Sequence, residues 1–158
     1  MRVRSIFLAV GLVLPSALLI GLPGQAAPTP SEGEAVYKRC AACHLPTGAG
    51  VPGAYPPLRG DIRALAAKPA GRRYLALVVT KGVSGPIAVE GKTFRGVMPA
   101  QAGLTDAQVA SVLNHVIASF SKGAVVKPFT TAEITQAKAS GAGMTSAAVG
   151  KLNAPAGQ

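Results

Sequence analysis

Behind Arg2 and Arg4 the chain opens with an apolar run, Ile6 to Leu22, and from about residue 31 the hydrophobic positions recur with helical or alternating period. Ser31-Glu32-Gly33-Glu34 has the spacing of a capping box, which predicts a helix starting there and running into residues 40–44. Gly33 and Tyr37 lie one turn apart on it; glycine at that place either lets a second helix come close or is simply a tolerated helical glycine. From Leu45 to Gly60 the chain is rich in Gly and Pro, a loop of fixed shape. Arg72 to Lys81 reads as a helix with Leu75, Val78 and Val79 inward, stopped at Gly82. Ile87-Ala88-Val89 and Thr93-Phe94 flank Glu90-Gly91-Lys92 and predict a small β-hairpin. Thr105-Asp106-Ala107-Gln108 is a second capping signal, and after it Val109, Val112, Leu113, Val116, Ile117 and Phe120 form one apolar stripe. Beyond Gly123, Thr130 to Glu133 opens a weak helix reaching about Ser140, and Thr145-Ser146 a shorter one to Leu152. This small-residue stretch reads equally as a disordered tail or as an extension lying on the body.

The opening run changes the picture of where the protein works. A short basic start, an apolar centre and the small residues Gly24 and Ala26 before Ala27-Pro28 make residues 1–26 a secretory signal peptide, with cleavage after Ala26. The same run is long enough to serve as an uncleaved membrane anchor, although Gly11, Pro15 and Gly21 weaken it as a spanning helix. A lipid-anchored lipoprotein is excluded, because no cysteine lies near the cleavage site.

The chemistry concentrates in Cys40-Ala41-Ala42-Cys43-His44. Two thiols three residues apart with a histidine directly after the second form the attachment signature of c-type haem. Each cysteine adds across one vinyl group, and the tether sets the imidazole of His44 beneath the iron as its proximal ligand. Thioether attachment takes place outside the cytoplasm, so signal peptide and haem motif predict each other. A metal-bound histidine usually donates its second ring N–H to a carbonyl or carboxylate. The rigid segment Tyr55-Pro56-Pro57-Leu58 is a source for it, with the carbonyl of Pro56 as acceptor and Leu58 packed on the haem edge. The plainer alternative for that segment is an extended connector.

Met98, in Gly96-Val97-Met98-Pro99, is the candidate thioether for the other face of the iron. Met1 starts the signal segment and Met144 sits in the sparse tail, so only Met98 stands in an ordered context. Its alternative role is a buried structural methionine. His115 projects more than a quarter turn from the centre of the stripe that follows Thr105, with Gln108, Ser111 and Lys122 as face-mates. That makes it a surface or hydrogen-bonding residue rather than the sixth ligand of a bis-histidine haem.

Composition adds support. In 158 residues only 4% are aromatic, leaving few large side chains to fill a core that a buried haem would complete. The two cysteines are the full count, so their conversion to thioethers leaves no disulfide. The formal charge of +10 keeps the chain basic after removal of Arg2 and Arg4, a field that suits acidic partner surfaces or anionic lipid heads, or serves solubility alone. Nucleic acid is a poor partner, because the basic residues are scattered and no aromatic platform accompanies them. A thioredoxin-like dithiol is disfavoured by His44 and by the missing βαβ pattern. No carboxylate pair, phosphate-cradling loop or nucleophile beside a base points to an enzyme.

With these residues in view, the chain from about Ser31 to Lys122 resembles a class I, monohaem c-type cytochrome. The match is carried by Gly33 to Tyr37 before the cysteine motif, Tyr55-Pro56-Pro57-Leu58, Gly96-Val97-Met98-Pro99 and Leu113-Asn114-His115-Val116. The resemblance implies an all-α haem fold with a small β-hairpin, the first and last core helices crossing near Gly33, and a C-terminal extension over residues 123–158 that wraps the molecule. It implies one covalent haem c with iron and a one-electron carrier in a respiratory chain. The partners it implies are redox proteins, a haem-copper terminal oxidase or an upstream reductase or dehydrogenase. Similar cytochromes also serve as electron-transfer subunits of periplasmic dehydrogenases. The chain departs from the pattern in a tail poor in lysine and leucine and at Arg59, which stands where a small residue is usual and is offered as a partner for a haem propionate. The expected protein is a periplasmic monomer, free or anchored at the membrane.

Overall fold

The computed structural model describes residues 30–153. The signal segment expected over residues 1–26, and the side chain of Ser31 on which the first capping expectation rests, lie outside the described residues.

The first helix, α1 (Pro30–His44), ends where Leu45 turns to a φ of 64°. A side chain with a Cβ is strained there. Two contacts hold it: the Leu45 N–H donates to Ala41 O at 3.0 Å, and the Tyr37 hydroxyl donates to the Leu45 carbonyl at 2.8 Å. Burial pushes the Tyr37 pKa up to about 12, so the phenol remains a donor at neutral pH.

The loop then leads into α2 (Asp61–Ala66) and α3 (Pro69–Lys81). The first of these was not anticipated. Its apolar residues Ile62, Leu65 and Ala66 are buried, but the residue before it, Gly60, has no side chain with which to cap it. The second starts earlier than Arg72, because Pro69 takes the first helical position, where a missing N–H costs nothing. The two helices meet closely at Gly71, where a Cβ would lie 2.1 Å from Leu65 O. Gly82 ends α3 as expected, at φ 75°, and a Cβ there would lie 2.5 Å from the carbonyl oxygen of Met98.

Two small antiparallel pairs follow. Strand β1 (Val83–Ser84) pairs with β4 (Val97–Met98), setting Val83 opposite Met98; β2 (Ile87–Val89) pairs with β3 (Lys92–Phe94) as the predicted hairpin. The β1–β4 pair was not legible, since two residues a side carry no periodicity.

Helix α4 (Asp106–Phe120) carries the predicted capping box, Thr105 Oγ1 accepting from Gln108 N and Gln108 Oε1 from Thr105 N. It crosses α1 at Gly33, where a Cβ would lie 2.3 Å from Ser111 O, so the two backbones touch. Its last turn has no basic residue of its own. Arg63 of α2 supplies the charge, donating to Ile117 O, Ser121 O and Ala124 O at 2.7–2.9 Å.

The C-terminal stretch is folded onto the body. Helix α5 (Thr131–Ser140) starts from a capping box at Thr130 and Glu133, and α6 (Ser146–Lys151) from Thr145. Phe129, Ile134 and Val149 are almost completely buried. Arg72 grips the entrance: it donates to Lys127 O and Pro128 O, lies 4.0 Å over the Phe129 ring and pairs with both carboxylate oxygens of Glu133 at 2.8 and 3.0 Å. Small residues do the rest. A Cβ at Gly141 would meet Leu77 Cδ2 at 2.4 Å and one at Gly150 would meet Ser84 O at 2.4 Å, so a tail poor in leucine docks by close approach.

Candidate haem site

The last turn of α1 presents Cys40, Cys43 and His44 to one cavity of about 530 Å³, within the size range of cofactor sites. The loop adds Pro56 and Leu58, and β4 adds Met98. Cys40, Cys43, His44, Pro56, Leu58 and Met98 therefore line the same space. Around them the wall is apolar: Ile62 and Leu65 from α2, Leu75 and Val79 from α3, Phe94 from β3, Leu113 and Val116 from α4.

His44 is 7% exposed, and its Nδ1 lies 2.9 Å from the carbonyl oxygen of Pro56. A carbonyl only accepts, so Nδ1 carries the proton and Nε2 is left with its lone pair. Burial pushes the His44 pKa below that of a free imidazole, outweighing the Pro56 carbonyl, which pulls the other way. The ring is neutral, oriented and suited to a metal.

Cys40 and Cys43 are not joined to each other in a disulfide. Burial pushes the Cys40 thiol up, and the Arg39 charge opposes this without reversing it. Reactive redox dithiols depend on a depressed thiol pKa, so Cys40 lacks the environment of a thioredoxin-like nucleophile. A one-turn pair of cysteines, a tautomer-fixed histidine and an apolar cavity fit a covalently tethered haem.

His115 does not line this cavity. It packs at the α1–α4 crossing, its ring 5.5 Å from that of Tyr37 and 5.8 Å from that of Phe120. Arg59 is absent from the lining too. It is exposed, follows the lining residue Leu58 and reaches the Thr47 carbonyl at 3.4 Å.

The sequence model of the cytochrome c family matches residues 30–118. The chain belongs to the cytochrome c family. It is similar to two proteins called cytochrome c-552, both from Thermus thermophilus. One is 40% identical over 121 residues, covering 75% of this chain and 82% of the relative. The other is 41% identical over 112 residues, covering 69% and 86%. This cytochrome is thus a class I member close to cytochrome c-552, all-helical apart from its small strand pairs, with Cys40 and Cys43 as the thiols of its haem c attachment motif. It is an electron-carrying haem protein that works with redox partners.

Several cavity residues were missed in the sequence. Tyr74 and Asn153 both line it, and Asn153 Nδ2 donates to the Tyr74 hydroxyl at 3.4 Å while Asn153 Oδ1 accepts from Ala88 N at 2.8 Å. Tyr74 lies one position before Leu75 on the buried side of α3 and was readable from that spacing. Nothing in the sequence around Asn153 links it to a hairpin 65 residues away.

Proposed function

We propose that this cytochrome is a periplasmic one-electron carrier whose iron is held by His44 and Met98, with Cys40 and Cys43 as the covalent tethers, and that it delivers electrons to a terminal oxidase. The observation that carries the reading is Met98 lining the same cavity as His44, on a strand pinned by its pairing with Val83. When bound, haem supplies the one-electron iron couple. The chain's own residues do the rest. Pro56 fixes the His44 tautomer. With haem bound, the Met98 thioether and the His44 imidazole would hold the iron, and the thioether would favour the reduced state and leave oxygen or peroxide no place to bind. The apolar wall of Ile62, Leu65, Leu75 and Val79 keeps water from solvating the extra charge of the ferric state, which raises the potential further. Leu58 packs at the cavity edge beside Pro56. A partner docks briefly through a small interface, as weak redox encounters do. Residues 1–26 direct export and are removed after Ala26. Among the described residues no helix is long and apolar enough to cross a membrane.

The deciding experiment is the near-infrared spectrum of the ferric haem-loaded protein beside Met98→Ala. The wild type shows the weak far-red band of Fe–S ligation and Met98→Ala loses it with a fall in potential. An unchanged band in the variant overturns the ligand assignment. Monomeric behaviour together with rapid oxidation by a haem-copper oxidase supports the carrier; permanent association with a dehydrogenase overturns it in favour of a bound haem subunit.

A further inference from the structure

The hairpin and α2 supply separate parts of the cavity wall, Phe94 from one and Ile62 and Leu65 from the other. Hydrogen bonds join them where Glu90 meets Gly60 and Asp61. The Gly60 N–H donates to Glu90 Oε1 at 2.9 Å, and the Glu90 N–H donates to Asp61 Oδ2 at 2.6 Å. Each partner thus uses a carboxylate to take an N–H from the other, and hydrogen bonds to ionised acceptors are the stronger kind.

Two further observations single this junction out. The hairpin turn has φ 50° at Glu90 and φ 71° at Gly91, the positive pair that a two-residue hairpin turn of type I′ requires. Asn, Asp or Gly usually takes the first of these positions, and a longer side chain is held there only where its surroundings over-determine it. Gly60, by contrast, has φ −82° and needs no glycine for its own backbone. What a Cβ there would meet is Glu90 Oε1 at 2.4 Å. An unfavourable residue in the turn and a bare backbone opposite it both make room for one contact.

We propose that Glu90 is a positioning residue: its paired bonds with Gly60 and Asp61 hold the hairpin shut against α2. This limits entry of water and small ligands to the haem and restrains Met98, into which β3 leads. The proposal rests on the His44 and Met98 reading above.

Three variants of the haem-loaded protein test it. Glu90→Gly relaxes the turn while removing the carboxylate, so it leaves overall stability equal or higher. Gly60→Ala keeps a compatible backbone and places a methyl where the carboxylate sits. Glu90→Gln retains an acceptor oxygen at the same position. The measurement is the rate at which added imidazole abolishes the far-red band of the ferric protein, with amide hydrogen exchange at Gly60 alongside. Glu90→Gly and Gly60→Ala should take up imidazole about tenfold faster, as loss of one to two hydrogen bonds implies. They should also show a lower midpoint potential and faster Gly60 exchange, with the band intact before imidazole is added. Glu90→Gln, which keeps the acceptor but not its charge, should fall between the wild type and Glu90→Gly. An imidazole rate in Glu90→Gly equal to that of the wild type overturns the proposal. Should the wild type itself lack the band, the axial-ligand reading fails separately, and unchanged Gly60 exchange in Glu90→Gly then overturns the latch by itself.

Discussion

The His44 ring is set by the Pro56 carbonyl, 2.9 Å from its Nδ1, and that carbonyl lies close against Gly50. A Cβ at Gly50 would lie 2.6 Å from Pro56 O and 2.3 Å from Tyr55 O, and its φ of 64° disfavours any side chain. Gly50→Ala therefore displaces the acceptor without replacing either His44 or Pro56. The expected outcome is a shifted His44 ring N–H resonance and a stability loss of about 1–3 kcal/mol, measured by thermal unfolding. An unmoved resonance would show that another acceptor orients the ring.

The α1–α4 crossing makes a second test. Gly33→Ala brings a methyl within 2.3 Å of Ser111 O and 2.7 Å of His115 Cβ, both parts of the facing helix that cannot swing away. The helices must separate, at about 1–3 kcal/mol as in other overpacked cores. Equilibrium denaturation reads this directly, and a value near zero would mean that the crossing yields easily.

Arg72 fastens the C-terminal extension through a two-pronged pair with Glu133, two carbonyls of the connector and the Phe129 ring. Lysine cannot reproduce the planar fork. Arg72→Lys should lose about 2 kcal/mol and open the connector before α5 to proteolysis, with the visible spectrum unchanged. Equal cleavage rates in variant and wild type would assign the docking to Phe129, Ile134 and Val149 instead.

Acid should act on the same junction. Burial pushes the Glu133 carboxyl up, but the Arg72 hydrogen bond and charge, together with the Thr130 N–H and hydroxyl, outweigh it and hold the group below its ordinary value. A carboxylate lowered on folding adds stability that is complete above its unfolded pKa, about 4.3, and is lost as pH falls through the folded value. The melting temperature of the wild type should therefore fall more steeply below about pH 4.3 than that of Glu133→Gln, which keeps the capping pattern but cannot titrate. Parallel curves would count against Glu133 as an acid-sensitive contact.

Much of this was readable because it is local. Covalent attachment forces the spacing of Cys40, Cys43 and His44, a capping box needs only Thr105 and Gln108, and a hairpin declares itself by Glu90-Gly91 between short apolar runs. The cavity residues were within reach where a single residue type had few competitors, as with Met98 among three methionines. What escaped was either too short or too distant. Helix α2 has six residues and no capping side chain. The docking of the extension depends on Arg72 finding Glu133 across 61 positions, and on glycines at 141 and 150 whose worth lies in what they face. A small-residue tail looks alike on paper whether it is loose or tightly seated.

Asn153 closes the wall beside Ala88 and Tyr74, whereas the thiols stand at positions 40 and 43. Loss of the last few residues of the extension would therefore breach the enclosure on its far side, more than a hundred positions along the chain from the sulfurs it shelters.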